Sequence, residues 1–353
     1  RRREMLDRRH PEVARELEDA REHPADTLDA ALDDPVGDDA LRLLFLCCHP
    51  VLAREARVAL TLRLVGGLTT EEIARAFLVP VPTLAQRIVR AKRTLAEARV
   101  PMEVPRGAAL LERLPSVLEV VYLIFNEGYS ATAGDDWVRP ALCHDALRLA
   151  RTLAELVPDV AEVHGLAALL EIQTSRLRAR VGPDGEPILL QDQDRARWDH
   201  LLIRRGLAAL DRAERRAGGL GPYALQAAIA ACHARAAAPG DTDWTRIVAL
   251  YDALAQLTPS PVIELNRAVA LAMAYGPAAG LEAVEPLREE PLLDAYHLLP
   301  AVRAEFLTRL GRFTEAADEL RRAATLTANT RERTLLLDRA ADCDHRAGGA
   351  RGH

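Results

Sequence analysis

Five side chains between positions 86 and 93 could act on a polyanion: Gln86, Arg87, Arg90, Lys92 and Arg93. Guanidinium and ammonium groups hold phosphates, while Gln and Arg can also read base edges through paired hydrogen bonds. These residues interleave with Leu84, Ile88, Ala91 and Leu95, whose three-to-four spacing predicts an amphipathic helix over Pro82–Ala98. The polar set then occupies the face opposite the apolar one, with Thr83 in the first turn. Thr83, Gln86, Arg87 and Arg90 are the candidates for base contact. Lys92, Arg93 and Arg99 are the candidates for phosphate contact.

A second element must position this helix. In LTTEEIARAF, Thr69 or Thr70 can cap a helix whose first turn holds Glu71 and Glu72, where the helix dipole favours negative charge. Ile73, Ala76 and Phe77 share one face of it. The break at Leu78–Pro82 carries two prolines, and the second suits the first turn of the next helix because it has no amide hydrogen to lose. Two helices joined by a short turn, the second basic, form the arrangement that places a recognition helix in the DNA major groove. A helical hairpin with a merely solvated charged face shares the same pattern.

The charge distribution separates this section from the rest. Residues 1–40 carry 7 basic and 13 acidic side chains, residues 41–110 carry 11 and 5, and residues 111–353 carry 28 and 34. A cationic section inside a chain of net charge −6 is the footprint of a nucleic-acid module tethered to something else. Lys92 is the sole lysine, so an individual arginine here carries little information about why Arg was used.

With 353 residues the chain has room for two or three domains, and its abundance of Ala, Leu and Arg with few aromatics predicts an all-α fold. The apolar runs are too short for a membrane span, and there is no charged start followed by an apolar run. Five cysteines without close paired spacing read as reduced thiols in a cytoplasmic protein.

Taken in order, residues 1–37 read as the end of a helix and an acidic linker interrupted by Pro24 and Pro35. Helices over Ala40–Cys48 and Ala53–Val65 would pack behind the helix-turn-helix, making a DNA-binding domain over 38–100. PMEVPRG (Pro101–Gly107) then separates it from an α-helical extension, 108–353. There the apolar helix Leu114–Phe125 ends at Asn126-Glu127-Gly128-Tyr129, with Gly128 suited to a left-handed cap. A second polar cluster, Gln191–Asp199, alternates acids with Arg195 and Arg197 and includes Asp194 and Trp198. Asn126, Glu127, Tyr129, Asp194, Arg195, Arg197 and Trp198 could meet as a ligand-sensing or partner-docking site, or as a salt-bridged seam between domains. Beyond Gly221, Ala-rich helices recur, Arg267 and Arg303 stand 36 residues apart, and LTRLGRFTEAADELRRAATL resembles a tetratricopeptide repeat with Gly311 at its turn. A stacked array of this kind offers a concave surface for a protein segment.

Catalytic signatures are thin: HExxH, Walker, GxSxG and GxGxxG-after-strand patterns are absent, and Asp135-Asp136 has no identified acid–base partner. Cys48-His49, Cys143-His144 and Cys232-His233 are adjacent pairs, which a helix points about 100° apart, a poor spacing for a metal. No enzyme, cofactor or metal is expected.

The stretch ALTLRLVGGLTTEEIARAFLVPVPTLAQRIVRAKRTL resembles region four of sigma-70-family sigma factors of the extracytoplasmic-function class. LLFLCCHP, YLIFNEGY, QDQDRARWD and YALQAAIAACHA extend the resemblance to the subgroup with a long carboxy-terminal helical extension. The resemblance implies a factor that directs core RNA polymerase to promoter DNA, with Thr83–Arg93 reading the −35 element and the extension regulating or docking a protein partner. Pro82-Thr83 stands where that family usually has Gly-Thr, and Gln86 where it often has Ser, so the promoter sequence read cannot be borrowed. Region two is missing, and Arg1–Glu4 resembles its last basic turn, so the sequence reads as a fragment. The rival class is a helical-repeat interaction protein whose helix-turn-helix is only structural.

Overall fold

The computed structural model describes residues 36–350, apart from 67, 77, 78, 132, 135, 217 and 218. The expected acidic linker, and the residues resembling the end of region two, lie outside the described residues up to position 35. Among the described residues the fold is all-α: fifteen α-helices and two strands of two residues each. The chain divides into two compact units, one containing residues up to Glu127 together with His144–Thr152, the other Gly128–Cys143 and Leu153 onward.

In the first unit α1 (Val36–Cys47), α2 (Arg54–Leu64), α3 (Thr70–Ala76) and α4 (Val81–Glu97) surround a core of Leu44, Phe45, Leu60, Leu62, Ile73 and Leu84. Each helix is long enough for only two to five turns, so burial of one face rather than propensity holds it. α3 begins with a reciprocal capping box: the Glu72 amide donates to Thr69 Oγ1 at 3.1 Å, and the Thr69 amide donates to Glu72 Oε2 at 2.7 Å. α4 starts one residue earlier than expected, with Pro80 as its N-cap and Pro82 still inside the first turn. Its end is a Schellman turn, in which the Val100 amide bonds the Leu95 carbonyl at 3.1 Å and the Arg99 amide bonds that of Ala96 at 3.0 Å. Val100 and Leu95 are both buried there, and Arg99 takes the left-handed position at φ 48°.

α5 (Ala108–Tyr129) is longer than the apolar run predicted, and it carries Pro115 inside. All of it up to Glu127 belongs to the helix-turn-helix unit. Ser116 Oγ donates to the Cys48 carbonyl at 2.9 Å and accepts from Arg57, while Arg54 pairs with Glu119 at 2.6 Å. The division between units therefore falls inside this helix rather than at Pro101–Gly107. Asn126 to Tyr129 form its last turn, and Gly128 is helical, not a left-handed cap. Its missing side chain is required by packing: a Cβ there would lie 2.8 Å from both the Cys143 amide nitrogen and the Leu142 Cβ.

In the second unit α7 (Ala161–Ser175) is buried on nearly every side, packed by α8 (His200–Glu214) and α9 (Pro222–Arg235). α6 (Pro140–Leu156) precedes it and contributes to both units. Gly165 allows the backbones of α7 and α9 to touch, since a Cβ would come within 2.6 Å of the Ala224 nitrogen. Glu162 Oε2 and Oε1 accept from the Tyr223 and Ala224 amides at 2.9 and 3.1 Å, so α7 caps the start of α9 where Gly221 has no side chain to do so.

From α9 the helices follow one another as neighbours: α10 (Trp244–Leu257), α11 (Pro261–Tyr275), α12 (Pro277–Val284), α13 (Leu298–Arg309), α14 (Phe313–Leu326) and α15 (Thr330–Ala350). Small residues let adjacent helices approach, and successive cores form around Ile247 and Leu254, then Leu265 and Phe306, then Leu307 and Leu320. The end of this array returns to the start of the same unit. β1 (Ala133–Gly134) and β2 (Ala328–Asn329) pair in parallel, 133 with 328 and 134 with 329.

Candidate nucleic-acid interface

α4 shows two distinct faces. Leu84, Ile88, Ala91 and Leu95 are buried, so the helix is held from one side, and Thr83, Gln86, Arg90 and Arg93 are exposed on the other. Arg87 is half-buried at one edge of that face. Arg93 is engaged by Glu97 one turn later at 3.2 Å, with both side chains largely in solvent. Such an exposed pair contributes roughly 0.3–0.5 kcal/mol and is readily exchanged for a phosphate.

Lys92 departs from the expected placement. It follows Thr83 by nine residues, and nine steps of about 100° carry it half a turn away from Thr83, to the edge of the buried stripe. The structure leaves it half-buried, with its ammonium near enough to the buried Cys47 thiol to oppose the rise in that thiol's pKa, which burial and then Cys48 drive. One residue the sequence reading passed over lies on the open face: Val89 is 64% exposed, three residues after Gln86 and four before Arg93. An apolar side chain that gains nothing from exposure, set among polar residues, suits contact with a thymine methyl. The signal in the sequence was a branched aliphatic residue interrupting a polar face.

The second set of predicted residues is distributed as follows. Asn126 hydrogen-bonds Tyr122, and Glu127 is buried; both belong to the first unit. Tyr129 belongs to the second, where the Arg180 guanidinium lies 3.7 Å from its ring centroid and Arg180 Nη2 donates to its carbonyl at 2.9 Å. Arg176, 4% exposed, hydrogen-bonds Tyr129 and Gln173 and stands 5.7 Å from the Trp198 ring. The arginine on the other side of the motif, Arg195, is 4.8 Å from the same ring. Two arginines absent from the expected set, Arg176 and Arg180, thus join Tyr129 to Trp198.

The salt-bridged reading of Gln191–Asp199 does not hold among the described residues. Asp194 Oδ1 accepts from the Ala196 amide at 2.9 Å, and Asp199 Oδ1 from those of Leu201 and Leu202 at 2.9 and 3.1 Å, capping α8. Arg195 Nη1 donates to the carbonyls of His233 and Ala236, both at 2.6 Å, where α9 ends. A guanidinium at a helix carboxy terminus meets the negative end of its dipole. Arg197 is exposed. His233 sits under this cluster, edge-on to Trp244 at 5.1 Å, and burial together with Arg176 and Arg195 lowers its pKa to about 3.

Residues 42–95 match sigma-70, region 4, and residues 113–214 match a family of unknown function, DUF6596. The chain is 46% identical over 325 residues to an uncharacterized protein of Rhizobium meliloti (strain 1021), an alignment spanning 92% of this chain and 75% of that one. No solved structure matches. Among the described residues no helix is long and apolar enough to cross a membrane. The chain belongs to the family of this rhizobial protein and carries, over α1–α4, a sigma-70 region 4 with a sigma-factor-like role in binding DNA.

Proposed function

We propose that the chain is a promoter-recognition factor of the extracytoplasmic-function class, a non-enzymatic protein whose α4 enters the major groove at the −35 element while its region 4 engages core RNA polymerase. The observation that carries this reading is the pairing on α4 of a fully buried apolar stripe with an exposed row of Thr83, Gln86, Val89, Arg90 and Arg93. A rigidly held helix presenting such a row is what direct readout needs. In this reading the helices from α9 onward form a tetratricopeptide-like array that regulates the factor through a protein partner. Their sequential packing and the α13–α14 hairpin, turned at Gly311 with φ 77°, support it.

The test is selection of duplexes from a randomised pool by the full chain with core polymerase, followed by binding of the selected and scrambled sequences. The expected preference is at least about tenfold, the effect of a single good base contact. Equal affinity for both sequences, or failure to capture polymerase, would leave an interaction protein with a structural helix-turn-helix. For regulation, cutting the chain after Arg106 is unsuitable, because Ser116 and Glu119 brace Arg57 and Arg54 of α2 and the Cys48 carbonyl at the end of α1. Transcription from the selected promoter with an extension loosened at Asn329 is the cleaner measurement. Unchanged output would remove the regulatory role.

A further inference from the structure

The open face of α4 carries two parallel pairs of side chains, each pair spaced by one helical turn. Gln86 and Arg90 form a polar pair, and Ala85 and Val89 form an apolar pair beside it, all four exposed. Each apolar member precedes its polar neighbour by one residue, which is about 100° around the helix. Val89, at 64%, is the most exposed large hydrophobic residue of the first unit among the described residues. An isolated exposed aliphatic residue is ordinary on a protein surface, so exposure alone decides nothing. Two further features bear on this one. A β-branched side chain lowers helix propensity, in a chain that otherwise fills its helices with Ala, Leu and Arg, so Val89 does not serve the helix. It also stands between Gln86 and Arg93 in sequence and next to Arg90, on the face that the promoter reading sets against base edges.

Side chains four apart on a helix have β-carbons about 5–6 Å from each other. A methyl carbon set over the notch between them reaches van der Waals contact with both, at about 4 Å. The notch between Ala85 and Val89 offers no hydrogen-bonding group, so a polar base atom seated there would give up water for nothing. In the major groove adenine, guanine and cytosine present donors and acceptors, whereas thymine adds a methyl group at C5.

We propose that Ala85 and Val89 form a notch for the 5-methyl group of one thymine, so that α4 reads that base by its methyl while Gln86 and Arg90 hydrogen-bond the base edges beside it. The inference rests on α4 being the helix in the groove, and it adds the class of base that the apolar edge of the helix selects. Val89 is the specificity-determining residue, because it supplies the larger part of the notch, and Ala85 supplies the opposite wall.

The test uses the duplex selected by the full chain with core polymerase, resynthesised with deoxyuridine in place of one thymine at a time. That exchange removes the methyl and leaves the pairing with adenine intact. One position should lose about fourfold in affinity, the effect of burying one methyl group. Val89→Ala should lose a similar factor on the thymine duplex and show no further loss with uracil at that position, whereas Arg90→Ala should keep the difference between thymine and uracil. Because Val89 is exposed, its variant should retain the parent's melting temperature. If every thymine can be replaced by uracil without loss, or if Val89→Ala keeps the full difference, the methyl notch is overturned while the promoter reading stands. A chain that selects no sequence at all overturns both.

Discussion

The side-chain amide nitrogen of Asn329 donates to the backbone carbonyl of Asp136 at 2.9 Å, across 193 residues of chain. The same nitrogen donates to the Ala131 carbonyl at 3.2 Å, and Oδ1 accepts from the Arg331 and Glu332 amides, each at 3.1 Å. One buried amide thus caps α15 and ties it to the segment that opens the second unit. Asn329→Ala is expected to destabilise that unit by about 2–4 kcal/mol, because it strands buried carbonyls and amides together. Asn329→Asp keeps the cap but loses both donated bonds. If urea unfolding of the aspartate variant matches the parent, the tie to Asp136 contributes nothing.

Arg99 holds the left-handed position after α4, where a β-carbon is strained and glycine is not. Arg99→Gly should therefore raise the stability of the helix-turn-helix unit by about 0.5–1 kcal/mol, despite the extra freedom of the unfolded chain. The check is the midpoint of the unfolding step reported by far-ultraviolet circular dichroism. A lower midpoint would show that the arginine side chain outweighs the strain.

Arg90 and Lys92 are two residues apart and face different ways. Arg90→Ala should weaken binding to a selected sequence by about 1–3 kcal/mol and relax preference at one base position. Lys92→Ala, in contrast, should leave the salt dependence of DNA binding nearly unchanged, because the residue is half-buried at the edge of the apolar stripe rather than on the open face. A fall of about one in the salt slope for the lysine variant would restore it as a phosphate contact.

His233 is held neutral, its pKa depressed to about 3 by burial, Arg176 and Arg195. The unfolded chain takes up the proton near 6.5, so this residue's contribution is fully present above that pH and is lost as pH falls toward 3. The slope is at most about 1.4 kcal/mol per pH unit. His233→Asn should flatten the stability profile between pH 6 and about 4 relative to the parent. Parallel profiles would place the acid sensitivity elsewhere.

The helices around the DNA-binding face were legible in the sequence because their determinants are local. A three-to-four apolar spacing buries Leu84, Ile88, Ala91 and Leu95 whatever the rest of the chain does, and Thr69 reaches Glu72 within one turn. The all-α class followed from the abundance of Ala, Leu and Arg and the scarcity of aromatics. Even there, one local rule was not enough: Lys92 was assigned to the open face by charge, when its angular position sets it beside the buried stripe.

The remaining relationships were decided by the path of the chain. Asn126 to Tyr129 read as the end of the apolar helix because Gly128 suits a left-handed cap, yet the glycine is helical and is needed by Cys143, which only packing brings to it. Arg176 and Arg180 carried no motif, and they join Tyr129 to Trp198 because α5 ends where the turn after α7 begins. Acid–arginine alternation in Gln191–Asp199 suggested ion pairs, but helix ends offered better partners for both charges. Local periodicity is written into consecutive residues. The partner of a polar group such as Asn329 is chosen by whichever backbone the finished fold leaves unsatisfied beside it, and a sequence read residue by residue does not contain that choice.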